Sequence, residues 1–205
     1  LRLGVWTPNP RRMDKFNNHN ERGSFKLVAR PYYLLFEMLG LNRLKRNFLY
    51  VTDGGHYENL GLVELLRRKC KTIWCIDASG DKVTTFSTLV GALRLAEAEL
   101  GVKVSIDPNG MMNPVANTDR PAQYVHQPFC VGTITYPDGQ KGTLIHVKAG
   151  VPLDAPLELK SYAAGNEHFP CDTTLDQLYD ADRFDAYRDL GELCVTMASD
   201  AIKGN

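Results

Sequence analysis

Asp53 is the residue of this chain best placed to do chemistry. It opens the run Asp53-Gly54-Gly55-His56-Tyr57-Glu58-Asn59-Leu60-Gly61, directly after the apolar segment Phe48-Leu49-Tyr50-Val51-Thr52. An apolar strand, a glycine pair and a helix start put one carboxylate on a tight turn at the carboxyl end of a strand. A carboxylate in that place acts as a general base when a proton lies within hydrogen-bond reach. Gly54 and Gly55 carry no side chains, so backbone N–H groups and a substrate can approach one another closely there. The competing reading is structural. Asp-Gly is a common turn pair, and its carboxylate then accepts backbone N–H bonds from its own turn.

Other groups compete with Asp53. His56, Glu58 and Asp77 together offer oxygen and nitrogen ligands for a metal ion. No second histidine follows at metal spacing, so capping of the next helix by His56 and Glu58 is the simpler expectation. His19, His126, His146 and His168 stand far apart and read as incidental. Ser79-Gly80-Asp81 resembles a phosphate turn, but no Gly-x-x-x-x-Gly-Lys-[Ser/Thr] is present. Cys75 lies mid-strand and reads as core, and Cys70 has basic neighbours but no histidine beside it in sequence.

The elements that must position Asp53 follow from periodicity. Residues 1–6 alternate as an edge strand, and 7–25 read as loop. Pro31 opens a helix that runs through Tyr32, Tyr33, Leu34, Leu35, Phe36, Met38 and Leu39 to Gly40. That helix is apolar nearly all round, so it is expected to be buried, with a lipid-facing surface as the alternative. Residues 48–52 form a strand, 57–69 a helix ending in Arg67-Arg68-Lys69, and 72–77 the next strand. Strand, helix and strand in that order predict a βαβ unit with parallel strands. Asp53 and Asp77 would then share the sheet edge where open α/β folds bind ligands. Asn59 is expected to tie the turn to the helix.

Downstream, a helix is predicted over 85–100 with Gly101 as its stop, then a strand over 102–106. Residues 107–128 carry prolines and asparagines with little periodicity, the pattern of a lid or substrate wall. Strands over 129–136 and 143–148, joined by Pro137-Asp138-Gly139, predict an antiparallel hairpin. The remainder reads as helix. Thr174 and Gln177 have capping-box spacing, and Phe184, Tyr187, Gly191, Cys194 and Ala198 repeat every three or four residues. The fold class is therefore α/β, a mostly parallel sheet flanked by helices, with an antiparallel hairpin.

A content of 43% apolar and 23% charged residues is that of a globular protein with a sizeable core. Five cysteines without a C-x-x-C pair predict reduced, mostly buried thiols and a location in the cytoplasm or on the cytoplasmic face of a membrane. No run of apolar residues is long enough to span a bilayer. The net charge of zero hides an asymmetry. Residues 1–50 hold ten Lys and Arg against three Asp and Glu, a balance of +7; residues 151–205 hold four against eleven, a balance of −7. Either the two ends neutralise each other in the fold, or the basic part faces anionic lipid. Nucleic acid is not indicated, because no reading motif accompanies the basic residues.

The run Asp53-Gly54-Gly55-x-x-x-Asn59-Leu60-Gly61 resembles the C-terminal catalytic motif of the patatin-like phospholipases. The likeness extends to Leu1–Pro10, the helix entered at Pro31, residues 48–80, the 129–148 hairpin with Val131-Gly132-Thr133-Ile134-Thr135-Tyr136-Pro137-Asp138-Gly139, and the tail from Phe169. Together these look like the C-terminal half of large bacterial patatin-like proteins, some of which carry membrane segments upstream. The resemblance implies that residues 1–205 are the C-terminal portion of a single patatin-like domain, and that Asp53 is the base of a Ser–Asp dyad. Gly54 and Gly55 would line the substrate. The substrate would be a lipid or other acyl ester, with no cofactor and no metal.

The partner serine implied by that family stands in Gly-x-Ser-x-Gly. No such segment occurs in the 205 residues, nor does a Gly-Gly-x-Arg/Lys-Gly oxyanion loop. The chain, which begins in what reads as a strand in progress, is therefore expected to be a piece of a longer polypeptide and inactive by itself. The alternatives to an acyl hydrolase are a non-catalytic binding or scaffolding domain and a regulatory cytoplasmic domain of a membrane protein.

Overall fold

A computed structural model describes residues 4–12, 29, 31–41, 43–82, 85–112, 124–173, 176 and 178–204. The chain divides into two compact units, Leu1–Tyr57 and Glu58–Asn205. The expected capping box at Thr174 and Gln177, Ser24, His19 and the centre of the 107–128 segment lie outside the described residues.

In the first unit, β1 (Gly4–Pro8) pairs antiparallel with β2 (Phe48–Thr52), in a register that sets Trp6 opposite Tyr50 and Pro8 opposite Phe48. Aromatic side chains hold this two-stranded sheet to α1 (Tyr33–Met38). Tyr33 is buried, with its ring 4.7 Å from Trp6 and 5.2 Å from Phe48 in tilted and edge-on contacts. Asn9, also buried, donates its side-chain amide to the carbonyls of Leu44 (2.9 Å) and Arg46 (2.8 Å), which ties the loop before β2 to the end of β1. The expected burial of α1 on all sides does not hold. Tyr33 alone is buried, and Leu34, Leu35, Met38 and Leu39 are exposed. A helix of six residues offers one packed face to a sheet of only two strands, so its other apolar side is left outward.

The second unit is built on a four-stranded mixed sheet of order β3 (Thr72–Asp77), β7 (Lys141–Lys148), β6 (Phe129–Thr135), β4 (Lys103–Ile106). β3 and β7 are parallel, and the other two pairings are antiparallel. Two expectations are corrected here. The sheet is not mostly parallel, and β2 and β3 do not form a βαβ pair. β2 belongs with β1, and the parallel neighbour of β3 is β7. The cause is the two-sided burial of β7, in which Leu144 to Lys148 are all buried. A strand buried on both faces takes the centre of a sheet, with a neighbour on each side. Local alternation in β3 identifies a strand but not its partner.

Helices cover both faces. On one lie α2 (Leu62–Arg67) and α3 (Ser87–Leu100), whose Leu62, Val63, Leu66, Leu89, Ala92 and Ala96 bury against Ile73, Ile134 and Leu144. α2 is shorter than the predicted 57–69. Gly61 precedes it with φ +66°, a left-handed conformation that suits glycine and turns the chain into the helix only at Leu62. α3 matches its prediction closely and stops at Gly101, φ +65°. On the other face, α5 (Leu157–Gly165) and α6 (Ala181–Lys203) pack on Phe129, Ile145 and Val147. The buried stripe of α6 is Ala186, Leu190, Cys194 and Ala198. Phe184 and Gly191, expected inside, are exposed, because the four-residue spacing of Ala186, Leu190, Cys194 and Ala198 sets the face that meets the sheet.

The hairpin of β6 and β7 is as predicted, with Tyr136–Gln140 between the strands. Its turn is clamped to the end of α2: Tyr136 donates its hydroxyl to the Cys70 carbonyl at 2.6 Å, and Lys69 pairs with Asp138. Within 107–128, the described part holds a short helix α4 (Asn109–Met112) and β5 (Tyr124–Val125), which pairs in parallel with β8 (Val151–Pro152). Among the described residues, no helix is long and apolar enough to cross a membrane.

Candidate functional site

β2 ends at Thr52, and the backbone then turns sharply. Asp53 has φ −57° and ψ 136°, still extended, and caps a single 3-10 turn over Gly54–His56. Its Oδ1 accepts the Gly55 N–H at 2.9 Å. The His56 N–H donates to the Asp53 carbonyl (3.2 Å), and the Tyr57 N–H to that of Gly54 (2.9 Å). The turn is thus held by its own backbone and one carboxylate oxygen. Asp53, Gly54 and Gly55 are all exposed. Among the described residues, nothing apart from the adjoining Asp53 and Gly55 comes within 4 Å of where a Cβ on Gly54 would stand, which leaves room there for another molecule.

His56 stays with this turn. Its Nδ1 lies 3.1 Å from the Thr52 hydroxyl oxygen and 3.3 Å from the Asp53 carbonyl oxygen. It does not cap α2. Glu58 does so, its carboxylate accepting the N–H groups of Leu60 and, at 3.3 Å, Val63. Among the described residues, no group of three or more His, Cys, Asp or Glu side chains is placed to hold a metal ion.

Asp77, at the end of β3, is committed elsewhere. Its carboxylate is fully buried and accepts from His146 Nε2 and Lys148 Nζ, each at 3.2 Å, and from the Ser79 N–H at 2.9 Å. Burial alone would raise the pKa of Asp77, but the hydrogen bonds from His146 and Ser79 and the charge of Lys148 outweigh it. They hold the carboxyl well below the usual carboxylate range. Lys148 Nζ also reaches the Ser79 hydroxyl at 3.3 Å. The other ring nitrogen of His146 is 4.0 Å from Cys130 Sγ.

Cysteine, histidine and aspartate therefore stand in the order found in thiol-nucleophile triads. The environment rules that chemistry out. Cys130, His146 and Asp77 are all buried, and the ring of Phe86 lies 6.0 Å from that of His146. Burial pushes the Cys130 thiol up to about 12, so it stays protonated at neutral pH. Cys75, beside His146 in the register, is pushed up to about 12 for the same reason.

This cluster escaped the sequence reading, which took His146 as incidental. The available signal was His146-Val147-Lys148. Two polar residues two apart on an apolar strand point to one face, and they require a buried carboxylate beside them.

The Ser79-Gly80-Asp81 segment is not a phosphate turn. Asp81 Oδ2 accepts from the Thr88 N–H (2.6 Å) and from the hydroxyls of Ser87 (2.7 Å) and Thr88 (2.6 Å) at the start of α3. An anion of the protein itself already occupies the place a phosphate would take.

Two carboxylates at two strand ends are thus in opposite states. Asp77 is enclosed and neutralised, whereas Asp53 is exposed, with one oxygen held by its turn. Only Asp53 is accessible to a reacting group. No family model, no curated protein and no solved structure matches the chain.

Proposed function

We propose that this chain supplies the general base of a lipid acyl hydrolase of the patatin-like kind, with Asp53 taking the proton of a serine nucleophile. One observation carries the reading. Asp53 sits exposed at the end of a strand, on a turn that fixes its Oδ1 through the Gly55 N–H and leaves open space beside Gly54. A base needs that combination of fixed orientation and access. The serine and the oxyanion donors come from outside these 205 residues, since no Gly-x-Ser-x-Gly occurs in them. Gly54 and Gly55 border the place where the acyl ester would lie.

The test compares the 205-residue chain with the product of the complete reading frame that contains it, on a chromogenic short-chain ester. The chain alone gives buffer background, and the complete product turns over by a route that requires Asp53. Turnover that is unchanged in Asp53→Asn, or a complete product without esterase activity, would sink the reading. A second reading has its own support: Oδ1 of Asp53 already caps the turn, as in a purely structural Asp-Gly-Gly. On that reading the domain binds or scaffolds without catalysis, and the inactive complete product is its signature.

A further inference from the structure

The first unit presents an apolar surface and carries an excess of cations, and we infer that this surface docks on an anionic phospholipid bilayer. At 3.6 residues per turn, Leu34, Leu35, Met38 and Leu39 lie on the side of α1 opposite Tyr33, the residue that anchors the helix to its sheet. Their exposures are 53%, 57%, 68% and 69%, and Leu44, in the loop that follows, is 76% exposed. Five large apolar side chains on one small unit exceed the scattered exposure of an ordinary surface.

The charge of the same unit points to the occupant, with exposed Arg43 and Lys45 flanking Leu44 in the chain. The described residues of this unit carry Arg11, Arg12, Arg43, Lys45 and Arg46 against Glu37 and Asp53. A groove of about 360 Å³ is lined by Arg12, Lys45 and Arg46 and by the rings of Tyr32, Tyr33 and Phe36. Two of its cations are held in place: Arg12 Nη1 donates to Asn47 Oδ1 at 3.1 Å, and the Arg46 guanidinium lies 3.7 Å from the centre of the Phe36 ring. Leucine and methionine in the acyl boundary, aromatic rings and cations at the phosphate level form the layering of an interfacial helix. A protein partner with an acidic rim or a second copy of the chain would meet the apolar side chains. The excess of cations favours the bilayer, because each Lys or Arg near an anionic leaflet adds to the attraction.

Flotation of the 205-residue chain with vesicles tests this without any ester, so its outcome is separate from that of acyl hydrolysis. One set of vesicles is phosphatidylcholine alone, and in the other a third of the lipid is phosphatidylglycerol. Binding to the anionic set is expected to be about tenfold stronger and to weaken as salt is raised. Leu34→Ser/Leu35→Ser/Met38→Ser/Leu39→Ser abolishes flotation. Arg43→Glu/Lys45→Glu, two exposed positions, removes the preference for anionic vesicles. Circular dichroism confirms that each variant is folded. Equal binding to both vesicle types, or equal flotation of folded wild type and the serine variant, overturns the inference. So does self-association that the serine variant loses while neither protein floats.

Discussion

The carboxylate of Asp77 lies 3.2 Å from the ammonium of Lys148, and neither side chain is reached by solvent. The two residues are 71 positions apart and directly opposed across the parallel pair of β3 and β7. Two opposite charges taken out of water together are tolerable, but either one left alone is not. Lys148→Met is expected to cost about 3–5 kcal/mol in urea unfolding, because the carboxylate loses its counter-charge. Asp77→Asn/Lys148→Met removes both charges and is expected to be more stable than the single variant. The same pair sets an acid limit. The folded protein holds Asp77 below its unfolded value of about 3.9, so the unfolded chain binds the extra proton. The stabilisation is fully present above that unfolded value and is lost as pH falls below it toward the folded value. Wild-type melting temperature is expected to drop through that acid window, and Asp77→Asn/Lys148→Met to drop less.

Asp53 allows a separation of fold from chemistry. Asparagine caps a turn as well as aspartate does, but it cannot take a proton. Asp53→Asn is therefore expected to leave the melting curve of the chain unchanged. On the proposed reading, the same substitution in the complete reading-frame product is expected to lower ester turnover by about 10²- to 10⁴-fold. Parallel melting and rate measurements decide the point, and an equal loss in both would make Asp53 a structural residue only.

The thiols divide by burial. Cys75 and Cys130 are pushed up to about 12 and Cys194 up to about 11, first of all by burial. At pH 8 the thiolate is about one part in a thousand or fewer for each of the three. Iodoacetamide on the native protein, followed by peptide mass mapping, is expected to mark only Cys70 and Cys171, which are half-buried. All five label after denaturation. Rapid native labelling of Cys130 would instead revive the Cys130–His146–Asp77 arrangement as a reactive site.

Asp81 holds the start of α3 with three hydrogen bonds to Ser87 and Thr88. Asp81→Ala is expected to cost about 1–2 kcal/mol in thermal or urea unfolding. Inorganic phosphate is expected to leave the wild-type melting temperature unchanged, because the carboxylate fills the helix terminus.

The parts of the fold that were legible in the sequence are the local ones. Leu89, Leu93 and Leu100 marked α3, and Pro137-Asp138-Gly139 marked the hairpin turn, because each signal lies within one element. The partner of β3 was hidden, since nothing in Thr72–Asp77 refers to residues 141–148. Asp53 was found by its neighbours in the chain, Gly54 and Gly55. His146 was missed because its partners, Asp77 and Cys130, meet it only when three strands are side by side. The outward face of α1 was misjudged for a related reason: leucines state a preference for burial, and whether they are covered depends on what lies next to them in space.

The clamp between Tyr136 and Cys70 and the contacts of Asp77 fasten β3 at its two ends, and together they make its alignment on β7 unique. A slip of one residue would turn Ile73 and Cys75 to the wrong face. A slip of two would keep the faces but move the carboxylate past His146 and Lys148. Apolar packing does not distinguish such alternatives, because Ile73, Cys75, Leu144 and Ile145 tolerate sliding. The polar groups do, at some expense in stability, and they leave the strand a single place to sit.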